Sequence, residues 1–281
     1  MAKLTVEQLV QHYYKSSDYS MLAYKTKVDY SNCLDIMLNT KLNKHSICTT
    51  KVDKLTGAIA RQSYELWLKR GISMANHIVS SSRKVYSFGM EMGYVEYNPF
   101  STFKCKTNKP RKVIWTREQI KKLLDFCYSD FRYRSIGLIV QMSYEWCQRV
   151  GDMRLLKFES IDFNNGVLNL EQSKRGASVS LPISEDLFEM LQEQKRDYDF
   201  QEYVAPVPKA IRSSYNPYTL HRLSIVARQA IRLCGLPNEL RIADLRRTGT
   251  TEMVEAGVSM GQIMSVTGHA NPQSVKPYMK N

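Results

Sequence analysis

Residues 241–281 leave the chain little freedom of local structure. Gly257 and Gly268 are spaced as helix terminators, and Ser259 is placed to cap the helix between them, MGQIMSV. The pattern predicts one helix ending at Gly257, a second ending at Gly268, and a third, short one begun at Pro272. Three chemically strong side chains sit on this frame. Arg246 falls near the start of the first helix, His269 just past the end of the second, and Tyr278 on the third, nine positions after that histidine. A guanidinium, an imidazole and a phenol gathered in this way suit attack on a phosphodiester by a tyrosine hydroxyl.

The remainder of the chain is compatible with such a substrate. A formal net charge of +13 and a pI near 9.4 favour a polyanionic partner. At 281 residues there is room for two domains with proper cores. No apolar run approaches the ~20 residues needed to cross a bilayer, and the opening MAKLTVEQLVQHYY lacks the apolar core and cleavage site of a secretory signal. Cys33, Cys48, Cys105, Cys127, Cys147 and Cys234 are scattered without a C-x-x-C pair. They read as reduced cytoplasmic thiols, with neither a disulfide framework nor a zinc site. The five histidines are equally dispersed, so no metal is expected.

Thr5 with Gln8 forms a capping-box pattern ahead of Val6, Leu9, Val10 and Tyr13. Helices are expected near Met21 to Leu38, over Gly57 to Lys69, and from Ser73 to Met92, with Asn43 to Leu55 a polar loop. Met74, Ile78, Val85, Phe88 and Met92 are spaced for a buried face of the last of these, with Arg83 and Lys84 pointing elsewhere. Asn98-Pro99 closes the unit. KCKTNKPRKV follows, and its Pro110 and like charges argue for an extended linker. Lys104, Lys106, Lys109, Arg111 and Lys112 make it either a solvated hinge or a strap across a phosphate backbone. Beyond it, Thr116 and Gln119 open another helix, and Arg134 to Glu145 should be a buried one. Short strands are expected around residues 160–163, 167–171 and 178–182, the first two joined at Asn164-Asn165-Gly166. Helices starting at Ser184 and Thr219 complete the pattern.

Two further segments complete the motif begun at the C-terminus. In WCQRVGDMRLLKFESID, Arg149 is followed by Asp152, and VLNLEQSKRGASVSLPI places Lys174 near the tip of a hairpin. With ADLRRT, Gly268-His269 and Tyr278, these resemble the ordered Arg, Lys, Arg, His, Tyr signature of the tyrosine recombinase (phage integrase) family, from about Thr116 to Tyr278. The resemblance implies a mainly α (α+β) architecture that clamps DNA. Residues 1–103 would be an all-helical, SAM-like core-binding domain, 104–114 a basic linker, and 115–281 a mostly helical catalytic domain with a small three-stranded antiparallel sheet. It implies a site-specific recombinase that works without metal or ATP through a 3′-phosphotyrosyl bond and a Holliday junction. Its partners would be double-stranded attachment sites and three further protomers, with accessory DNA-bending proteins and no membrane. A type IB topoisomerase-like enzyme, a resolvase, or a DNA-binding protein of the same fold with weakened catalysis is the alternative.

On this resemblance Arg149 and Arg246 would clamp the phosphate, since a planar guanidinium donates two parallel bonds and keeps its charge. His269 would donate to a non-bridging oxygen, Lys174 would protonate the leaving 5′ oxygen, and Tyr278 would be the nucleophile. Lys174 is preferred over its neighbour Arg175. Arg175 and Arg247 join Arg83, Lys84 and the linker cations as expected DNA contacts. One position departs from the family pattern: Ala243 stands where the second box normally begins with histidine. An unperturbed phenol ionises near pH 10, so a tyrosine nucleophile needs a proton acceptor, and water near Ala243 is the expected substitute.

Overall fold

Hydroxyl caps begin most of the helices. In the computed structural model, which describes residues 4–42, 45–109, 111–173, 176–209 and 214–278, Thr5, Thr116 and Ser259 each close a full capping box with a glutamine three residues on. Thr56, Ser184 and Thr219 accept from a backbone N–H of the first turn that follows. The chain divides into two units, Met1–Arg111 and Lys112–Asn281.

The first unit holds α1 (Val6–Tyr14), α2 (Ser17–Ser20), α3 (Tyr24–Leu38), α4 (Gly57–Leu68) and α5 (Ile72–Glu91), with a minimal antiparallel ladder of β1 (Lys41–Leu42) and β2 (His45–Ser46). Its core gathers Leu9, Tyr13, Leu34, Met37, Tyr64, Trp67, Ile78, Val85 and Phe100. Two expectations are corrected here. The stretch expected to be a polar loop packs inward, burying Ile47, Val52 and Leu55 through short 3-10 turns, because those three residues follow no helix or strand period yet land on one side of the chain. On α5, Ile78, Val85 and Phe88 are buried, but Met74 and Met92 are exposed. The buried stripe instead includes the small residues Ala75, Ser82 and Gly89, which recur every seventh position and let neighbouring helices approach closely.

The described residues of the basic segment form neither helix nor strand, yet its first half is fastened to this unit. The Lys106 N–H donates to the Tyr64 hydroxyl (2.8 Å), its carbonyl accepts from Asn76 Nδ2 (2.8 Å), and Asn108 Nδ2 reaches Ser73 Oγ (2.7 Å). Asn98 organises the turn before it, donating to the Arg83 carbonyl and accepting from the Phe100 N–H.

The second unit is built around α7 (Phe131–Glu145), buried on every side from Tyr133 to Ser143. Around it lie α6 (Arg117–Ser129), α8 (Val150–Met153), α9 (Glu185–Tyr198), α10 (Leu220–Leu233), α11 (Leu245–Glu255) and α12 (Met260–Thr267). β3 (Ile161–Asp162), β4 (Val167–Glu171) and β5 (Ser178–Pro182) form an antiparallel sheet in sequential order, with Ile161 opposite Leu168 and Leu168 opposite Leu181. Alternation turns Ile161, Leu168, Val179 and Leu181 into the core. The turn at 163–166 is fixed by the Asp162 carboxylate, which accepts from the N–H groups of Asn164 and Asn165. Trp115 joins the start of the unit to α11, donating its N–H to Thr248 Oγ1 and its indole to the Arg241 carbonyl. Among the described residues, no helix is long and apolar enough to cross a membrane.

Candidate active site

Four segments converge, that of Arg149 lying far in sequence from the other three. Arg246 lies in the first turn of α11 and is 8% exposed, although it carries a charge. Its Nη2 donates to the Thr267 carbonyl at 2.7 Å and lies 3.2 Å from His269 Nε2. Its Nη1 is buried with no hydrogen-bond partner. Burial, aided by the nearby charge of Arg149, pulls its pKa below the usual guanidinium range to about 10.

His269 is delivered by the end of α12. Gly268 takes the left-handed conformation (φ 67°), stops the helix, and throws the imidazole back toward α11. The neighbouring hydroxyl settles the tautomer. Thr267 Oγ1 gives its single proton to the Ile263 carbonyl (2.6 Å), so it accepts from His269 Nδ1 at 2.7 Å. Nε2 then carries the lone pair that meets the Arg246 N–H.

Arg149 is the residue before α8. Its Nη1 donates to Gln172 Oε1 (2.8 Å) and lies 3.7 Å from Asp152 Oδ2. Asp152 is buried and accepts from Ser173 Oγ. The expected acidic position is therefore a partner of this arginine, and it also fastens the end of the β4 strand. Lys174 and Arg175 lie outside the described residues.

Tyr278 ends the second of two 3-10 turns, Pro272–Ser274 and Lys276–Tyr278, which stand in place of one continuous short helix. Pro277 cannot donate an N–H, and it disfavours α-conformation at Lys276. The Tyr278 N–H donates to the carbonyl of Val275, which is fully buried and anchors the segment. The phenol ring centroid is 6.2 Å from that of His269, and the Arg247 guanidinium carbon lies 5.4 Å from the Tyr278 ring centroid.

Ala243 is exposed and lines a mostly apolar hollow of about 210 Å³ with Val150, Leu223, Ala227 and Leu240. Of the expected DNA contacts, Arg83 is turned into its own unit, donating to the carbonyls of Phe100 (2.7 Å) and Phe103 (3.1 Å). Lys84 pairs with Asp18 (2.8 Å) and Lys106 with Glu65 (3.5 Å). Lys104, Lys109, Arg111 and Lys112 are exposed. Sequence reasoning missed Gln148, Gln172 and Thr267, whose side chains or carbonyls hold the arginines and the histidine in place. The only signal was adjacency, since Gln148 precedes Arg149 and Gln172 sits on the lysine hairpin.

This arrangement places two guanidiniums and an imidazole beside a phenol, a set suited to stabilising a phosphoryl group under attack. Comparison with known proteins agrees with that chemistry. Residues 114–281 match the model of the phage integrase family. A tyrosine recombinase of Pseudothermotoga lettingae is 19% identical over 278 residues, spanning 96% of this chain and 90% of the relative. Tyrosine recombinase XerA of Pyrococcus furiosus is 26% identical over 168 residues, covering 59% of this chain and 56% of its own length. The structure of a lambda integrase tetramer bound to a Holliday junction superposes with a TM-score of 0.79 at 17% identity, covering 99% of this chain and 78% of that one. With the family model matching well over half of its length, the chain belongs to the phage integrase family, the tyrosine-type site-specific recombinases.

Proposed function

We propose that this chain breaks and rejoins DNA at specific sites through a covalent bond between Tyr278 and a 3′ phosphate. The observation that carries this reading is the meeting of Arg149, Arg246, His269 and Tyr278 from four separate segments. The Tyr278 oxygen attacks phosphorus, the bond to the 5′ oxygen breaks, and Lys174 supplies the proton for the departing hydroxyl. Arg149 and Arg246 bear the extra negative charge of the pentacoordinate state. His269, protonated at Nε2 when the anion is present, donates to a non-bridging oxygen. Attack by the 5′ hydroxyl of a partner strand reverses the step and conserves the bond energy. Four protomers on paired sites are the assembly expected by extension from the lambda integrase tetramer, and the exposed cations of the 104–112 segment are the expected phosphate contacts.

The test is covalent capture. A duplex selected by the protein from a random pool, nicked beside the crossover and incubated without added metal, should yield an adduct whose peptide map places the DNA on Tyr278. Tight binding with no adduct would replace this reading with that of a binding protein, and relaxation without exchange on two-site plasmids would make it a nicking-closing enzyme.

The proton of Tyr278 is left to water at Ala243. Placing an imidazole there should restore a positioned base, so Ala243→His is expected to raise single-turnover cleavage by ~10-fold or more between pH 6 and 9. An unchanged rate would show that the proton leaves by another route.

A further inference from the structure

Gln172 is 1% exposed and Gln148 fully buried, and between them the two amides use every N–H they have. Gln148 Nε2 donates to the carbonyls of Trp146 (2.8 Å) and Val266 (2.7 Å). Gln172 Nε2 donates to Gln148 Oε1 (2.6 Å) and to the Thr267 carbonyl (2.8 Å), leaving Gln172 Oε1 to accept from Arg149. The orientation of Gln172 is unambiguous, because a flipped amide would set its NH₂ against the Arg149 donor and its oxygen against two acceptors. The Thr267 carbonyl takes a second bond from Arg246 Nη2. A single amide and a single carbonyl therefore connect Arg149 to Arg246.

We infer that Gln172 is a positioning residue for cleavage, holding the Arg149 fork in register with Arg246. The inference rests on the clamp reading of these arginines. Two neighbouring guanidiniums repel, and the charge of Arg149 adds to the larger effect of burial in lowering the Arg246 pKa. Asp152 offers Arg149 a counter-charge only at 3.7 Å. A carboxylate at 172 would hold the fork more tightly, but it would cancel the charge the phosphate needs. A neutral amide fixes direction and leaves the charge intact. It also ties the arginine to β4, the strand that leads to Lys174, and to the end of α12, which delivers His269.

The test is a double-mutant cycle read in two quantities, DNA affinity and single-turnover adduct formation at saturating nicked duplex. Gln172→Met removes the bridge at nearly constant volume. It is expected to slow adduct formation by ~10–100-fold, as slight misplacement of a reacting group does, with DNA affinity within about 3-fold of wild type. In an Arg149→Ala background the same substitution should add no more than about a 3-fold further loss, because its target is already gone. Equal slowing in both backgrounds, or no slowing in the wild type, overturns the positioning role while leaving the clamp intact. A wild-type rate for Arg149→Ala overturns the clamp and the positioning role with it. If Gln172→Met lacks a cooperative melt, Gln172→Asn, which keeps the amide one methylene too short to bridge, runs the same cycle.

Discussion

Arg246→Met is expected to make the DNA-free protein more stable by ~1–3 kcal/mol while lowering phosphodiester cleavage by ~10³-fold. The guanidinium is buried, one of its nitrogens has no partner, and its other contacts are a carbonyl and an imidazole, neither of them a counter-charge. Its pKa falls from the ordinary guanidinium range to about 10 in the folded chain. The folded state therefore binds this proton less well, and the charged form costs ~3 kcal/mol at neutral pH as an upper estimate. The cost is present in full below pH 10 and fades as pH rises toward the ordinary guanidinium range, where the unfolded chain also loses the proton. Methionine keeps an apolar stem without the charge, and the Thr267 carbonyl keeps its bond from Gln172. Urea or thermal melts of the DNA-free proteins check the first half, with a rise of a few degrees expected. Adduct formation on nicked duplex checks the second. A phosphate bound between the arginines supplies the missing counter-charge, so duplex DNA should raise the melting temperature of the wild type more than that of the variant. A large fall in stability for Arg246→Met would show instead that the guanidinium is a net structural support.

Gly268→Ala is expected to cost ~2–4 kcal/mol of stability and more than ~10²-fold in cleavage. Part of the cost is the left-handed backbone, at ~1 kcal/mol for a residue with a side chain. The larger part is contact. A Cβ at this position would lie 2.5 Å from Gln172 Nε2 and 2.7 Å from its Cδ and Oε1, inside a fully bonded buried amide that cannot swing away without orphaning its partners. Either Gln172 moves and frees Arg149, or the end of α12 moves and carries His269 out of line, and both displacements slow the reaction. Gly257 provides the control. Its φ is similar at 75°, but nothing lies within 4 Å of a Cβ built there. Gly257→Ala should therefore lose only the conformational ~1 kcal/mol and keep its cleavage rate. Equal losses at the two positions would mean that backbone strain, rather than the clash with Gln172, controls the site.

The elements were legible wherever local chemistry decides them. Thr5, Thr116, Ser184, Thr219 and Ser259 each announce a helix start, and Gly257 and Gly268 each announce an end, because cap and terminator act within one turn of chain. The spacing of Arg246, His269 and Tyr278 followed from those punctuation marks. The packing of Ile47, Val52 and Leu55 was not legible, since 3-10 turns impose no periodic pattern on their apolar residues. The docking of residues 104–108 was hidden for a related reason: it uses backbone groups bonded to Tyr64 and Asn76, and a backbone N–H has no sequence signature. The amide bridge was the least visible of all. Gln148 and Gln172 lie 24 residues apart, and Gln172 meets Thr267 across 95. Only the folded chain brings them together, and glutamine in a polar segment ordinarily reads as a solvated side chain.

The seating of Tyr278, the proposed nucleophile, has a kinetic consequence. Among the described residues, Tyr278 is joined to the buried Val275 by a single-turn backbone bond and lies against the His269 ring and the Arg247 guanidinium, whereas the residues proposed to receive the phosphate sit in a buried, multiply bonded frame. Short segments of 3-10 turns open more readily than long packed helices. The observed rate is then the intrinsic rate multiplied by the fraction of molecules whose tyrosine is seated. A neighbour that raised this occupancy from ~10% to ~90% would speed cleavage about ninefold without touching the phosphate or any atom that binds it. Under the proposed mechanism, control would then be available through occupancy alone, and two copies with identical sites could differ in activity at the same instant.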